Sequence, residues 1–245
     1  MYNKYSNSDF HLLKSLKGAK MSKKIGFTLA EVLITLGIIG VVAAMTMPVL
    51  IQKQTEKATV VALKKFYTNL DQAVKLNLLE NSDDYNVNNI VKKMKTVKIC
   101  LNGSEDNSCA MHDYKKFNGT STIEFGKTDH YYDGYTYAVL NDGMIERMGN
   151  ISDDCSYVRG TSPALQNVCG EVSVDVNGNK GPNRDGYDVF YFHITKFGVV
   201  PFGGINDSVN PFNSNNSYAA WVIYNGNMDY LHCDDLSWNG KTKCK

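Results

Sequence analysis

Between Val32 and Gln52 the chain contains no Asp, Glu, Lys or Arg. An apolar stretch of that length can cross a ~30 Å hydrocarbon layer as one helix. Cysteine is also absent from the first part of the chain. All six cysteines, Cys100, Cys109, Cys155, Cys169, Cys233 and Cys244, lie outside the apolar run. An even number confined to the polar part of such a chain points to an oxidising compartment rather than to scattered reduced thiols. The formal charge is only +1, with no concentrated basic stripe, which argues against a nucleic-acid partner. Catalytic signatures are missing as well. There is no Gly-x-Ser-x-Gly, P-loop or dinucleotide fingerprint, and His112, His130, His193 and His232 lack the paired spacing of a zinc site. No nucleophile with an adjacent base can be named, so the chain reads as a non-enzyme.

What is present divides along the sequence. Residues 27–52 are almost wholly apolar, whereas residues 81–245 are rich in Asn, Gly, Ser, Asp and Tyr and long enough for one domain with its own core. Between them, Ala62, Phe66, Leu70, Ala73 and Val74 recur at three- and four-residue spacing, which predicts an amphipathic continuation over 53–80. Lys64, Lys65, Asp71 and Lys75 fall on other faces, and Asn81-Ser82-Asp83-Asp84 ends the pattern. One helix is therefore expected from Phe27 to about Leu79. Pro48 interrupts its backbone ladder, and Gly37 and Gly40 lower helix propensity in the same span. That combination reads either as a tolerated kink or as a place where the helix can bend or melt.

The start of the run decides the class. A secretory signal places its small-residue cleavage site after the apolar core; here the small residue, Gly26, comes before it. A lone carboxylate, Glu31, lies just inside the run, where charge costs free energy unless it finds a partner. The residues Lys23-Lys24-Ile25-Gly26-Phe27-Thr28-Leu29-Ala30-Glu31-Val32-Leu33-Ile34 closely resemble the prepilin cleavage and methylation signal of type IV pilins and secretion pseudopilins. The resemblance covers residues 23–52. It implies that a membrane aspartyl prepilin peptidase cuts after Gly26 and methylates the new amine of Phe27. It also implies that Glu31, then the fifth residue, pairs with the terminal amine of a neighbouring subunit during assembly. Pro48 matches a proline that many members carry in this helix. Residues 1–26 are then a leader, longer than is usual in the family, and Met21 would by itself open a complete short one. The implied partners are other pilin or pseudopilin subunits, the peptidase, an inner-membrane assembly platform and membrane lipid. Lys4, Lys14, Lys17, Lys20, Lys23 and Lys24 precede the run against Asp9 alone. The positive-inside rule thus places the N-terminus in the bacterial cytoplasm and the cysteine-bearing head in the periplasm or beyond.

In residues 81–245, Tyr135–Leu140, Asn141-Asp142-Gly143 and Met144-Ile145 predict strand, turn and strand. Tyr187–Ile194 predicts another strand. Trp221–Tyr224, Asn225-Gly226 and Met228–Leu231 read as a second hairpin, although Tyr218–Tyr224 also suits a short helix. The expected fold is α+β: a long N-terminal helix packed by its second half on an antiparallel sheet, pilin-like. Short loops favour the disulfides Cys100–Cys109, Cys155–Cys169 and Cys233–Cys244, but sequence alone does not choose among the possible pairings. His232-Cys233 with Cys244 could also be imagined as a partial metal site. The stretch from Asp175 to Asp188 alternates Asp175, Asn177 and Asn179, with Asp185 or Asp188 able to close a shell of oxygens suited to Ca²⁺. It is not an EF-hand, since Lys180 and Gly186 occupy the positions that need Gly and Glu. Some secretion pseudopilins carry calcium in a head loop; tight turns alone would also explain these residues. The reading from another class is an uncleaved, membrane-anchored ligand-binding protein or enzyme.

Overall fold

A single helix, α1, takes up Leu29–Glu80 in the computed structural model, which describes residues 26–101, 109, 114–120, 122–123, 134–209 and 217–244. The leader residues before Gly26, with Met21 and its lysines, and also His112 and His130, lie outside the described residues. The chain divides into two units, Met1–Val49 and Leu50–Lys245. In the first, every described side chain is exposed apart from the half-buried Ala43. The stretch is long and apolar enough to cross a membrane. Its few hydroxyls turn back onto the helix: Thr35 Oγ1 donates to the Val32 carbonyl (2.9 Å) and Thr46 Oγ1 to that of Val42 (3.0 Å). Both hydroxyls are thus satisfied within the helix, as a hydrocarbon environment favours.

The second unit is built on the amphipathic part of α1. Leu63, Phe66, Leu70, Ala73 and Val74 are buried, and Ala62 is only half-buried beside them. Burying each of the larger side chains is worth roughly 1.5–3 kcal/mol. The stripe meets a six-stranded antiparallel sheet in the order β1-β4-β5-β6-β7-β8. Its strands are β1 Thr96–Cys100, β4 Tyr135–Leu140, β5 Ile145–Asn150, β6 Val168–Asp175, β7 Val189–Thr195 and β8 Gly198–Pro201. Phe66 and Tyr67 of α1 sit on Phe192 of β7, ring centroids 5.5 and 5.9 Å apart. Ala138, Met148, Val172, Val174, Phe190 and Ile194 complete that face of the sheet within one core cluster. A small pair, β2 Tyr114–Lys115 with β3 Thr122–Ile123, brings Tyr114 against Ile145 and Val189 on the opposite face. Past the end of α1, the Asn77 amide donates to the Asp84 carbonyl (2.6 Å), and a short helix, α2 Val87–Ile90, leads into β1.

The strand–turn–strand at 135–150 and the strand through Phe190–Ile194 stand as expected. β1, β6, β8 and the small β2–β3 pair are strands beyond those read from the sequence. Residues 221–231 are not a hairpin: α3, Ala219–Asn225, is followed by a single 3-10 turn, Asp229–Leu231. A type I′ hairpin turn needs positive φ at both central residues. Only Gly226 has it (φ 67°), and its N–H closes onto the Val222 carbonyl as a helix C-cap. Trp221, fully buried, fixes the arrangement by donating from Nε1 to Asn227 Oδ1 (3.0 Å). The sheet's rims are both irregular. β1 changes register between Thr96 and Lys98, and β8 ends in Pro201. Disulfides join Cys100–Cys109, Cys155–Cys169 and Cys233–Cys244. The last leaves no thiol for the imagined metal site, and His232 Nε2 instead lies 2.9 Å from Glu56 Oε1.

Candidate functional site

Gly26, Phe27 and Thr28 lead into α1 without regular structure. Phe27 is 83% exposed, and among the described residues no atom beyond the chain neighbours stands within 4 Å of where a Gly26 side chain would begin. Thr28 is the N-cap. Its backbone N–H and its hydroxyl both donate to Glu31 Oε2 (2.8 Å each), and the Glu31 N–H donates to Thr28 Oγ1 (3.2 Å). This is a capping box: the threonine satisfies a free amide of the first turn, and the glutamate reaches back to the amide of the cap. Glu31 is thus held at the mouth of the helix, four residues from Phe27, with its carboxylate on the side from which the chain enters. Residues 21–47 match the family model of the prokaryotic N-terminal methylation motif.

The chain carries the type IV pilin and pseudopilin signal. The matched stretch takes in Gly26, Phe27 and Glu31 and ends just before Pro48. Neither a curated protein nor a solved structure matches the chain. The motif, the long apolar helix and the antiparallel sheet together make a pilin-like α+β architecture. The Thr-x-x-Glu signature of the capping box was present in the sequence, beneath the reading of Glu31 as an assembly residue.

The second set of expected site residues lies in the head. Asp175 is the last residue of β6 rather than part of a free loop. The structure brings Asp175, Asn177 and Asp188 together. Asn177 donates from its backbone to Asp175 Oδ1 (3.1 Å) and from its amide to Asp188 Oδ2 (3.2 Å). Asp188 also accepts from the backbone N–H groups of Asn183 (2.8 Å) and Arg184 (2.6 Å). Burial, then the neighbouring Asp188, pushes Asp175 up to about 8, and burial raises Asp188 as well. Asn179 is exposed. Asp185 belongs to a different place: its side chain lines a cavity on the outer face of the sheet, and burial pushes it up to about 7. Among the described residues no three His, Cys, Asp or Glu side chains are grouped to share a metal ion.

Two buried groups gave no local signal in the sequence. Glu146 of β5 is fully buried, neither carboxylate oxygen has a hydrogen-bond partner, and burial raises it to about 8. It lies between Ala138 and Val174 in the core face. His193 of β7, also buried, faces Asp207 (Nε2 to Oδ2, 3.2 Å) and stacks on Phe202 at 3.7 Å. Asp207 is held in turn by the Gly203 and Val209 N–H groups, so the pair clamps the segment after β8.

Proposed function

We propose that the chain is a prepilin-like structural subunit. A prepilin peptidase cuts after Gly26 and the amine of Phe27 is methylated. Subunits then polymerise through α1, on an inner-membrane assembly platform, into a type IV pilus or a secretion pseudopilus. Residues 81–245 form the outward head, and the N-terminus starts in the cytoplasm. The methylation motif carries this reading, because it opens directly into a helix whose apolar side chains are exposed all round. Such a surface needs lipid before assembly and other helices after it. Leaving lipid for a helix bundle gives little hydrophobic gain. Register must then come from packing and from a charge pair, Glu31 with a neighbour's terminal ammonium.

Mass spectrometry of protein from native membranes tests the processing. A mature chain beginning at methyl-Phe27 is expected; an intact leader would replace this reading with the uncleaved, anchored binding protein or enzyme. The role of Glu31 separates from its capping by two variants. Glu31→Ala should insert and be cleaved but yield few filaments. Glu31→Gln keeps the capping box, since glutamine serves there too, but loses the charge, and it should assemble as poorly as the alanine variant. Filaments at wild-type yield from Glu31→Gln would leave capping as its only role. Imaging of surface filaments in a deletion strain beside a secretion assay distinguishes pilus from pseudopilus.

For the head loop we propose a Ca²⁺ ion held by Asp175 and Asp188 with the amide oxygens of Asn177 and Asn183. Both amide oxygens are buried without a partner, and a cation would relieve the crowding of two buried acids. Calcium should raise the melting temperature of wild type and not of Asp188→Asn. An equal response of the two would remove the ion from this loop.

A further inference from the structure

The outer face of the sheet holds an open cavity of about 250 Å³ that the assembly reading does not use. Its floor is one cross-strand row. Ser173 of β6 pairs with Arg147 of β5 on one side and Tyr191 of β7 on the other, and all three line the cavity. Arg159 enters from the β5–β6 connection, anchored to Glu171 Oε1 at 2.6 Å. Lys116 and Asp185 close the rim, and Tyr191 with Phe202 (centroids 5.7 Å apart) supplies an aromatic wall. Two groups mark this as a built site. Ser173 is 2% exposed and Asp185 5% exposed, yet among the described residues Ser173 Oγ and Asp185 Oδ1 have no hydrogen-bond partner. Leaving such atoms unpaired in a buried site is unfavourable, and a ligand's hydroxyls would relieve it. Three cations, Arg147, Arg159 and Lys116, stand against two carboxylates, Glu171 and Asp185, so the cavity suits a single negative charge better than a dianion. The volume is small for an organic pocket, which limits the occupant to one ring.

We propose that this cavity binds a hydroxyl-rich monocarboxylate of monosaccharide size, a uronic acid being the simplest case. Its hydroxyls meet Ser173 and Asp185, its carboxylate meets the cations, and its apolar ring face lies on Tyr191 and Phe202. The site stands independently of filament assembly.

The test is calorimetric or saturation-transfer titration of the detergent-solubilised full chain with glucuronate, galacturonate, glucose and inorganic phosphate. One uronate should bind saturably in the millimolar range or tighter, about tenfold more tightly than glucose or phosphate. Ser173→Ala and Lys116→Ala should each weaken it about tenfold. Lys116 is exposed and bonds through its backbone, so its variant decides the matter if Ser173→Ala melts early. No saturation by either uronate, equal affinity for glucose or phosphate, or wild-type binding by Lys116→Ala would overturn the proposal and leave a water-filled recess.

Discussion

Glu146 is a fully buried carboxyl group in the head, so its protonation ties folding to pH. Its ordinary pKa of 4.5 is raised to about 8, first by burial and then by the Asp142 carboxylate. The folded chain therefore holds a proton that the unfolded chain releases. Stability from this group is complete below about 4.5, declines as pH rises, and is gone above about 8. Asp175, Asp185 and Asp188, also raised, act in the same direction. The melting temperature should fall from pH 5 to pH 8. Glu146→Leu, which removes the unpaired oxygens at similar volume, should melt higher than wild type at pH 8 and gain less at pH 5. Circular-dichroism melts at both pH values check this; parallel curves for the two proteins would contradict it. Gly149 shows a different constraint. A side chain there would begin 2.3 Å from the Tyr135 ring, which in turn lies 4.3 Å under the Arg147 guanidinium.

Among the elements, Cys155–Cys169 ties the β5–β6 connection to the start of β6, and both cysteines are buried. Opening it by the double change Cys155→Ser and Cys169→Ser should cost about 3 kcal/mol, the loop-entropy value for a closure of this length. Denaturant titration measures it, and an unchanged midpoint would show that the bridge only follows the fold. Elements were legible where composition is one-sided. The stripe Phe66–Leu70–Ala73–Val74 gave α1, and the aromatic run Phe190-Tyr191-Phe192 gave β7. β6 was missed although Val172 and Val174 alternate with Glu171, Ser173 and Asp175 at the period of a strand, because its end merges into turn residues. Asn225-Gly226 misled because the dipeptide ends a helix as readily as it turns a hairpin, and only the buried Trp221 decides. The processing signal was legible since all its parts are consecutive. The cavity was not: Arg147, Ser173, Asp185 and Lys116 come from separate segments and meet only through strand register.

At the scale of the molecule, the two units differ in what they need. Residues from Leu50 onward contain the core cluster and all the disulfides, whereas residues before it present apolar side chains to the surroundings. A chain beginning at Leu50 should therefore be soluble without detergent and should keep a cooperative melt. Aggregation or a broad, non-cooperative transition would mean that the head needs the earlier helix. The irregular rims of the sheet matter most when many copies are crowded together. Pro201 on one border and a slipped pairing on the other make both edges poor templates for pairing with another copy. In the assembly proposed above, contacts between neighbouring heads would then rest on side chains, which substitution can retune one position at a time.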